Sequence, residues 1–191
     1  MICVIYFSQK MKPEVMELHF WAHLKTVNHH RALVRKYCFR LGLYWQGLTH
    51  DLSKYSPVEF LAGAKYFQGD RSPNDQQRRL FGYSASWMHH KGRNRHHFEF
   101  WTDYGEGGIV GIEMPKKYVA EMFCDRLAAS KVYRGDEFDP GDPYKFFLRG
   151  KGRQLLLHPA TSELLEEILL TLRDKGEDAA FDFVRHNVLN K

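Results

Sequence analysis

The chain has 191 residues, 43% of them hydrophobic, 27% charged and 15% aromatic; this is the make-up of a folded domain with a sizeable core and excludes disordered, collagen-like and low-complexity classes. No run approaches the ~20 consecutive apolar residues of a membrane span, and the net charge of +5 suits a phosphate-bearing small molecule as well as nucleic acid. Three cysteines, Cys3, Cys38 and Cys124, are odd in number and far apart, so neither a disulfide framework nor a Cys-ligated zinc site is indicated, and a reducing cytoplasm is the expected compartment.

The first ten residues hold an apolar stretch, Ile2 to Phe7, shorter than a secretory h-region and without a basic flank or cleavage site. They are read as an extension outside the core, with an alternative start at Met11. Glu14 to Leu41 is predicted as one long helix, because Leu24, Val27, Val34, Tyr37 and Leu41 recur at spacings of three, four or seven, as one buried face requires. Gly42 stops it. Leu43 to Lys54 continues as a shorter helix closed by Ser56 and Pro57. The run Ser56-Pro57-Val58-Glu59 then opens another helix with an N-cap serine, a first-turn proline and a capping-box glutamate.

Ser72-Pro73-Asn74-Asp75 repeats that logic and leads to a helix ending near His90. Residues 91–114 contain glycines, charges and no helical period, so they are predicted to form a long loop of the kind that carries function. Pro115 starts a helix to about Val132, followed by an irregular segment through Asp139-Pro140-Gly141-Asp142-Pro143. Thr161 or Ser162 caps a leucine-rich helix to Asp174, Gly176 ends it, and Glu177 to Leu189 forms the last helix. Period-two patterns are nearly absent, so the fold class is all-α. The expectation is a single domain over 1–191, with a core at 11–134 and a C-terminal helical segment at 135–191.

Seven of the eleven histidines fall in three groups: His29 and His30, then His50, then His89, His90, His96 and His97. On the first long helix His30 keeps phase with Val27, Val34, Tyr37 and Leu41, whereas His29 shares its line with Lys25, Lys36 and Arg40. His30 is therefore the inward one. Its candidate partners are His50 and Asp51, framed by Leu48 and Leu52; adjacent helical positions project about 100° apart, so both would flank one point between helices. A buried carboxylate beside a buried imidazole costs several kcal/mol unless a cation or donor offsets it.

Asp125 is the third element, lying in the apolar helical line Tyr118, Met122, Asp125, Ala129, Val132, where an acid is unusual. The run His89 to His97 packs four imidazoles together with Lys91, Arg93 and Arg95. Neutral imidazoles on a metal, with the cations turned to an anion, would relieve their mutual repulsion. Imidazole and carboxylate donors suit a divalent transition metal, one or two ions of Fe, Mn, Zn or Ni.

The ordered set His30, His50-Asp51, His89-His90, Asp125 resembles the HD superfamily of metal-dependent phosphohydrolases. It is similar to an uncharacterised bacterial branch of it, and the extension His50-Asp51-Leu52-Ser53-Lys54 resembles the HD-GYP phosphodiesterases. The likeness spans residues 24–134. The Gly-Tyr-Pro element of that branch is replaced here by Gly92-Arg93-Asn94-Arg95-His96-His97-Phe98-Glu99-Phe100-Trp101.

The resemblance implies an HD-like helical bundle with His30, His50, Asp51 and Asp125 as core metal ligands and His89 or His90 as the extra ligand for a second ion. It also implies Lys54 over a substrate phosphate, acting with Asp51 in hydrolysis of a phosphate ester such as a nucleotide or phosphodiester. Lys91, Arg93, Arg95, Arg126 and Lys131 are the candidate phosphate contacts, and Phe98, Phe100, Trp101 and Tyr104 the candidate base-stacking rings. His96 and His97 join the substrate-binding candidates, with ligation, acid-base work or a solvent-facing place all open. Two alternatives remain: a di-iron oxygenase of the same fold, and a metal-containing protein that binds nucleic acid without turnover through this loop with Arg149, Lys151 and Arg153.

Overall fold

The computed structural model describes residues 18–151 and 156–191, so the expected extension at 1–10, the start of the first helix at Glu14, Cys3 and Arg153 lie outside the described residues. Within them the chain is mostly helical, with eight α-helices and one short sheet. Helix α1 (Phe20–Arg40) buries His23, Val27, His30, Val34, Tyr37 and Cys38, the face that its apolar spacing predicts, and leaves His29 exposed. Helix α6 (Lys116–Arg134) buries the block Val119 to Cys124 together with Leu127 and Ala128. These two helices pack against each other, and α8 (Pro159–Phe183) packs on α6.

The apolar core lies where they meet. Val34, Tyr37 and Cys38 of α1, Phe123 and Leu127 of α6, Phe147 of α7 (Asp142–Lys151), and Leu165, Ile168, Leu169 and Phe181 of α8 all belong to one buried cluster. Cys38 and Cys124 are free thiols inside it. Burying each of these large side chains stabilises the fold by about 1.5–3 kcal/mol. His30 stands one turn ahead of Val34, so the polar cluster that begins with it borders this core directly.

Several expectations change. The predicted Leu43–Lys54 helix ends early, as α2 (Tyr44–Thr49); Asp51 turns left-handed at φ 54°, and the chain resumes as a 3₁₀ turn over Leu52–Tyr55. The predicted run from Ser72 to His90 is two helices, α4 (Pro73–Phe81) and α5 (Ala85–Lys91). Gly82, at φ 79°, closes α4 as the left-handed residue past a helix end, and Ser84 recaps α5 by accepting from the Trp87 N–H. The predicted loop 91–114 contains an antiparallel hairpin, β1 (Thr102–Gly105) and β2 (Gly108–Gly111), so the class is mostly helical rather than purely α. Its strands are short and largely exposed, and no apolar alternation announces them.

Beyond the hairpin, α8 begins at Pro159, ahead of the expected cap. Thr161 is buried instead, and its hydroxyl accepts from the Met114 N–H. The break at Gly176 is where the sequence puts it, with a non-helical φ of 85° inside the long run. No helix among the described residues is long and apolar enough to cross a membrane.

Near the N-terminal end of the same face of α1, helix α3 (Pro57–Lys65) comes close through Gly63: a Cβ built there would collide with His23 Nε2. His23 in turn sits against the rings of Phe60 and Phe67. Gly63→Ala gains about 1 kcal/mol of helix propensity but must displace that ring, an overpacking cost of about 1–3 kcal/mol. A lower urea midpoint for Gly63→Ala, with unchanged slope, is the expected result.

Burial, with a smaller push from Lys54, lowers the His23 imidazole to about 4 from its ordinary 6.5. The folded state therefore resists a proton that the unfolded chain accepts, and stability falls as pH drops from 6.5 towards 4. Urea melts at a series of pH values should show His23→Leu gaining on the wild type as pH falls through that window.

Candidate metal centre

Five separate elements deliver the site. His30 comes from α1, His50 and Asp51 from the break after α2, His90 from α5, His96 and His97 from the turn that follows, and Glu121 and Asp125 from α6. Consecutive helical side chains diverge by about 100°. The left-handed backbone at Asp51 re-aims its carboxylate so that it joins His50 in the interior. Leu48 and Leu52, expected to frame the doublet on an apolar face, are instead half exposed, at 51% and 50%. Left-handed backbone in a residue other than glycine costs of order 1–3 kcal/mol. It is braced here by Arg31, whose guanidinium donates to the His50 carbonyl at 2.8 Å and to the Leu48 carbonyl at 3.2 Å.

Asp51 is 1% exposed, and its two oxygens face different partners. Oδ2 lies 3.7 Å from His30 Nε2, 3.5 Å from His50 Nε2 and 2.7 Å from Lys54 Nζ. Oδ1 lies 3.2 Å from His90 Nε2 and 3.4 Å from His96 Nε2. Asp125 Oδ1 closes the first side, 3.0 Å from His30 Nε2 and 3.5 Å from His50 Nε2. The donors thus fall into two groups that share Asp51. His30, His50, Asp51 and Asp125 form one, and Asp51, His90, His96 and His97 the other; within each, the ligand atoms lie within 4.8 Å of one another.

Hydrogen bonds do not explain this convergence. His30 Nε2, His50 Nε2, His96 Nε2, His97 Nε2 and both Asp51 oxygens are buried without a well-directed hydrogen bond, Asp51 Oδ2 having the Lys54 ammonium 2.7 Å away as its ion-pair partner. Buried polar atoms are nearly always partnered. Several left bare on one point fit a cation, and imidazole with carboxylate is a donor set for a divalent transition ion.

Charge in the cluster is finely divided. Burial would raise the Asp51 carboxyl, yet His50, Lys54 and His90 hold it well below the usual carboxylate range. Asp125 is likewise held well below it, by His30 and His50 against the effect of burial. Burial depresses His50, but Asp51, Asp125 and Glu121 outweigh it and lift the imidazole to about 10. His97 moves the other way, pushed well down by burial and by its imidazole neighbours His96 and His90. A protonated His50 thus supplies positive charge that offsets the acids, and an ion bound at Nε2 would displace the proton there while Nδ1 keeps its bond to Glu121.

The remaining candidates sort differently from expectation. His89 is not in either donor group: its Nδ1 turns to Glu59 Oε1 at 2.6 Å, because it lies about 100° round α5 from His90. His96 and His97, expected to meet substrate, stand among the ligand candidates instead. Lys131 is directed away, paired with Glu177 of α8 and lying over the rings of Tyr37 and Phe138. Arg126 lies over the α7 rings Phe146 and Phe147, with Nη2 near Met122 Sδ.

Arg95 donates to the Tyr118 hydroxyl and covers Phe100, while Arg93 donates to the His89 carbonyl. Both are exposed, and Lys91 is partly so. Two acids behind the imidazoles went unread in the sequence. Glu121 accepts from His50 Nδ1, and Glu59 from His90 Nδ1. Glu121 lies one turn before Asp125 inside the apolar run Val119 to Phe123, the signal that singled out Asp125. Glu59 was hidden by its capping position.

A transition ion at this centre stabilises the folded state by mass action, about 2.7 kcal/mol at a hundred times the dissociation constant. Thermal melts should therefore rise with added Mn²⁺ or Zn²⁺ and return with chelator. His50→Ala, which removes a donor from the centre, should abolish the shift; a shift of undiminished size would place the ion elsewhere.

No curated protein and no solved structure matches the chain. Residues 19–171, which hold every residue of this centre, match a family described as a family of unknown function, DUF5662. The chain belongs to that family.

Proposed function

We propose that the protein is a metal-dependent hydrolase of phosphate esters, with an HD-like helical centre that holds two divalent ions. The observation that carries the reading is Asp51, a buried carboxylate whose Oδ2 faces His30 and His50 while Oδ1 faces His90 and His96. That is the disposition of a bridge between two cations. The chain order of His30, His50-Asp51, His90 and Asp125 supports the likeness to the HD superfamily, with His96 and His97 adding donors that the likeness does not supply.

Bound ions of Fe, Mn, Zn or Ni would bring the pKa of a coordinated water towards ~7 and offset the charge of phosphoryl oxygens. The protein's own groups do the rest. His30, His50, Asp51 and Asp125 hold one ion and His90, His96 and His97 the other, with Asp51 shared. Lys54 is 30% exposed with its ammonium 2.7 Å from Asp51, so it stands between the centre and solvent, in position to meet a non-bridging phosphate oxygen. Asp125, at 19%, is the more exposed of the two acids in its donor group, and the substrate enters past it. Lys91, Arg93 and Arg95 supply cations at the end of α5 for the remainder of an anionic substrate such as a nucleotide.

Protein loaded with Mn²⁺ or Fe²⁺ should release nitrophenol from mono- or bis(p-nitrophenyl) phosphate, or phosphate from a nucleotide panel. Lys54→Ala should lower kcat by about 10²–10³, the usual loss for one donor to developing oxyanion charge. Inactivity of fully loaded protein across the whole panel would remove the hydrolase reading.

A further inference from the structure

Behind the ligand atoms, the Nδ1 sides of the imidazoles carry a second pattern, and it divides unequally between two acids. A single oxygen, Glu121 Oε1, accepts from His50 Nδ1 at 2.9 Å and faces His96 Nδ1 as an ion-pair partner at 3.1 Å. His50 belongs to the donor group of His30 and Asp125, whereas His96 belongs to that of His90 and His97. Glu59 spreads its two oxygens over His89 Nδ1 at 2.6 Å and His90 Nδ1 at 2.7 Å. Only His90 of that pair is in a donor group. Both acids are buried, at 5% for Glu121 and 6% for Glu59.

An imidazole that donates its Nδ1–H offers a bare Nε2 to a cation, and a carboxylate behind it fixes both tautomer and ring plane. Glu121 does this for two rings at once, and their centroids stand 4.3 Å apart. Building on the two-ion reading above, we propose that Glu121 is a positioning residue for both ion positions, while Glu59 positions the second alone. The carboxylate of Asp51 joins the two positions at the front, and that of Glu121 joins them from behind.

A rival arrangement exists, since His50, His96 and Glu121 also lie close enough to hold an ion among themselves. That ion would need both Nδ1 atoms stripped of protons while their Nε2 atoms serve the other two ions. The 2.9 Å His50 contact is a hydrogen bond and the 3.1 Å His96 separation also lies in the range of N–H donation, the arrangement that leaves both Nε2 atoms free.

The test is a Co²⁺ titration of the full chain under nitrogen, followed by d–d absorption and checked by elemental analysis. The wild type should take up two equivalents. Glu59→Gln should weaken one step by about 10–100-fold and leave the other unchanged, whereas Glu121→Gln should weaken both by about that factor. If circular dichroism shows Glu121→Gln unfolded, Glu121→Asp, which keeps the charge but shortens the reach, should also weaken both steps.

A Glu121 variant that alters one step or none overturns the assignment, as does a third equivalent in the wild type. Wild-type protein that takes up no Co²⁺ overturns the two-ion reading itself, and this assignment with it. Two equivalents in the wild type with a single altered step in the Glu121 variant overturn the assignment alone.

Discussion

Asp51 is the constraint from which the rest follows. A carboxylate at 1% exposure is tolerated only where positive charge surrounds it, and four imidazoles and Lys54 stand within 3.7 Å of its oxygens. Its backbone is also held where a side chain is disfavoured, at φ 54°. Strain and desolvation are thus concentrated on one residue. Each has a visible counterweight: Arg31 ties down the Leu48 and His50 carbonyls of the turn, and the imidazoles meet the charge. Strained backbone carrying a buried charge is characteristic of a functional point.

The precision of the cluster depends on the apolar core beside it. His30 is one turn from Val34 and Asp125 is adjacent to Cys124, and both of these neighbours are fully buried in the common core. Helices α1 and α6 therefore set the distance between the His30 and Asp125 side chains through their packing, with no loop in the path. The other side of the centre is built from α5 and the turn to His97. There Asn94 takes over the bracing, donating to the His90 carbonyl and to Ser53 Oγ, so the turn is sewn to both neighbouring segments.

How much of this was legible in the sequence depends on how local the signal was. His30 was distinguished from His29 because a single helix has one buried face, and the phase of Val27, Val34 and Tyr37 reports it. Asp125 stood out because an acid interrupted the same kind of pattern. The doublet was found for a reason that fails: Leu48 and Leu52 are exposed, and Asp51 is buried because the backbone inverts, which helical periodicity cannot express. His89 and His90 were indistinguishable because α5 is only seven residues long and offers too few apolar positions to set a phase. The hairpin escaped because its stability comes from where the chain lies, not from local alternation; α7 was missed although Asp142 and Pro143 open it and Tyr144 and Phe147 keep helical spacing towards the core.

Lys54 illustrates how the same contact serves stability and chemistry. Asp51 and Asp125 outweigh the effect of burial and raise its ammonium above the usual lysine range, so the charge stays on at any ordinary pH. In the protein alone it neutralises Oδ2 of Asp51. On the two-ion reading proposed above, cations in the two donor groups would take over that neutralisation, and the ammonium, carried on a flexible stem and partly open to solvent, would be freed from its partner. An anionic substrate at the centre would then offer it a replacement for that carboxylate. Phosphate recognition would on that reading be conditional on metal loading, because without cations the Asp51 carboxylate holds the Lys54 ammonium.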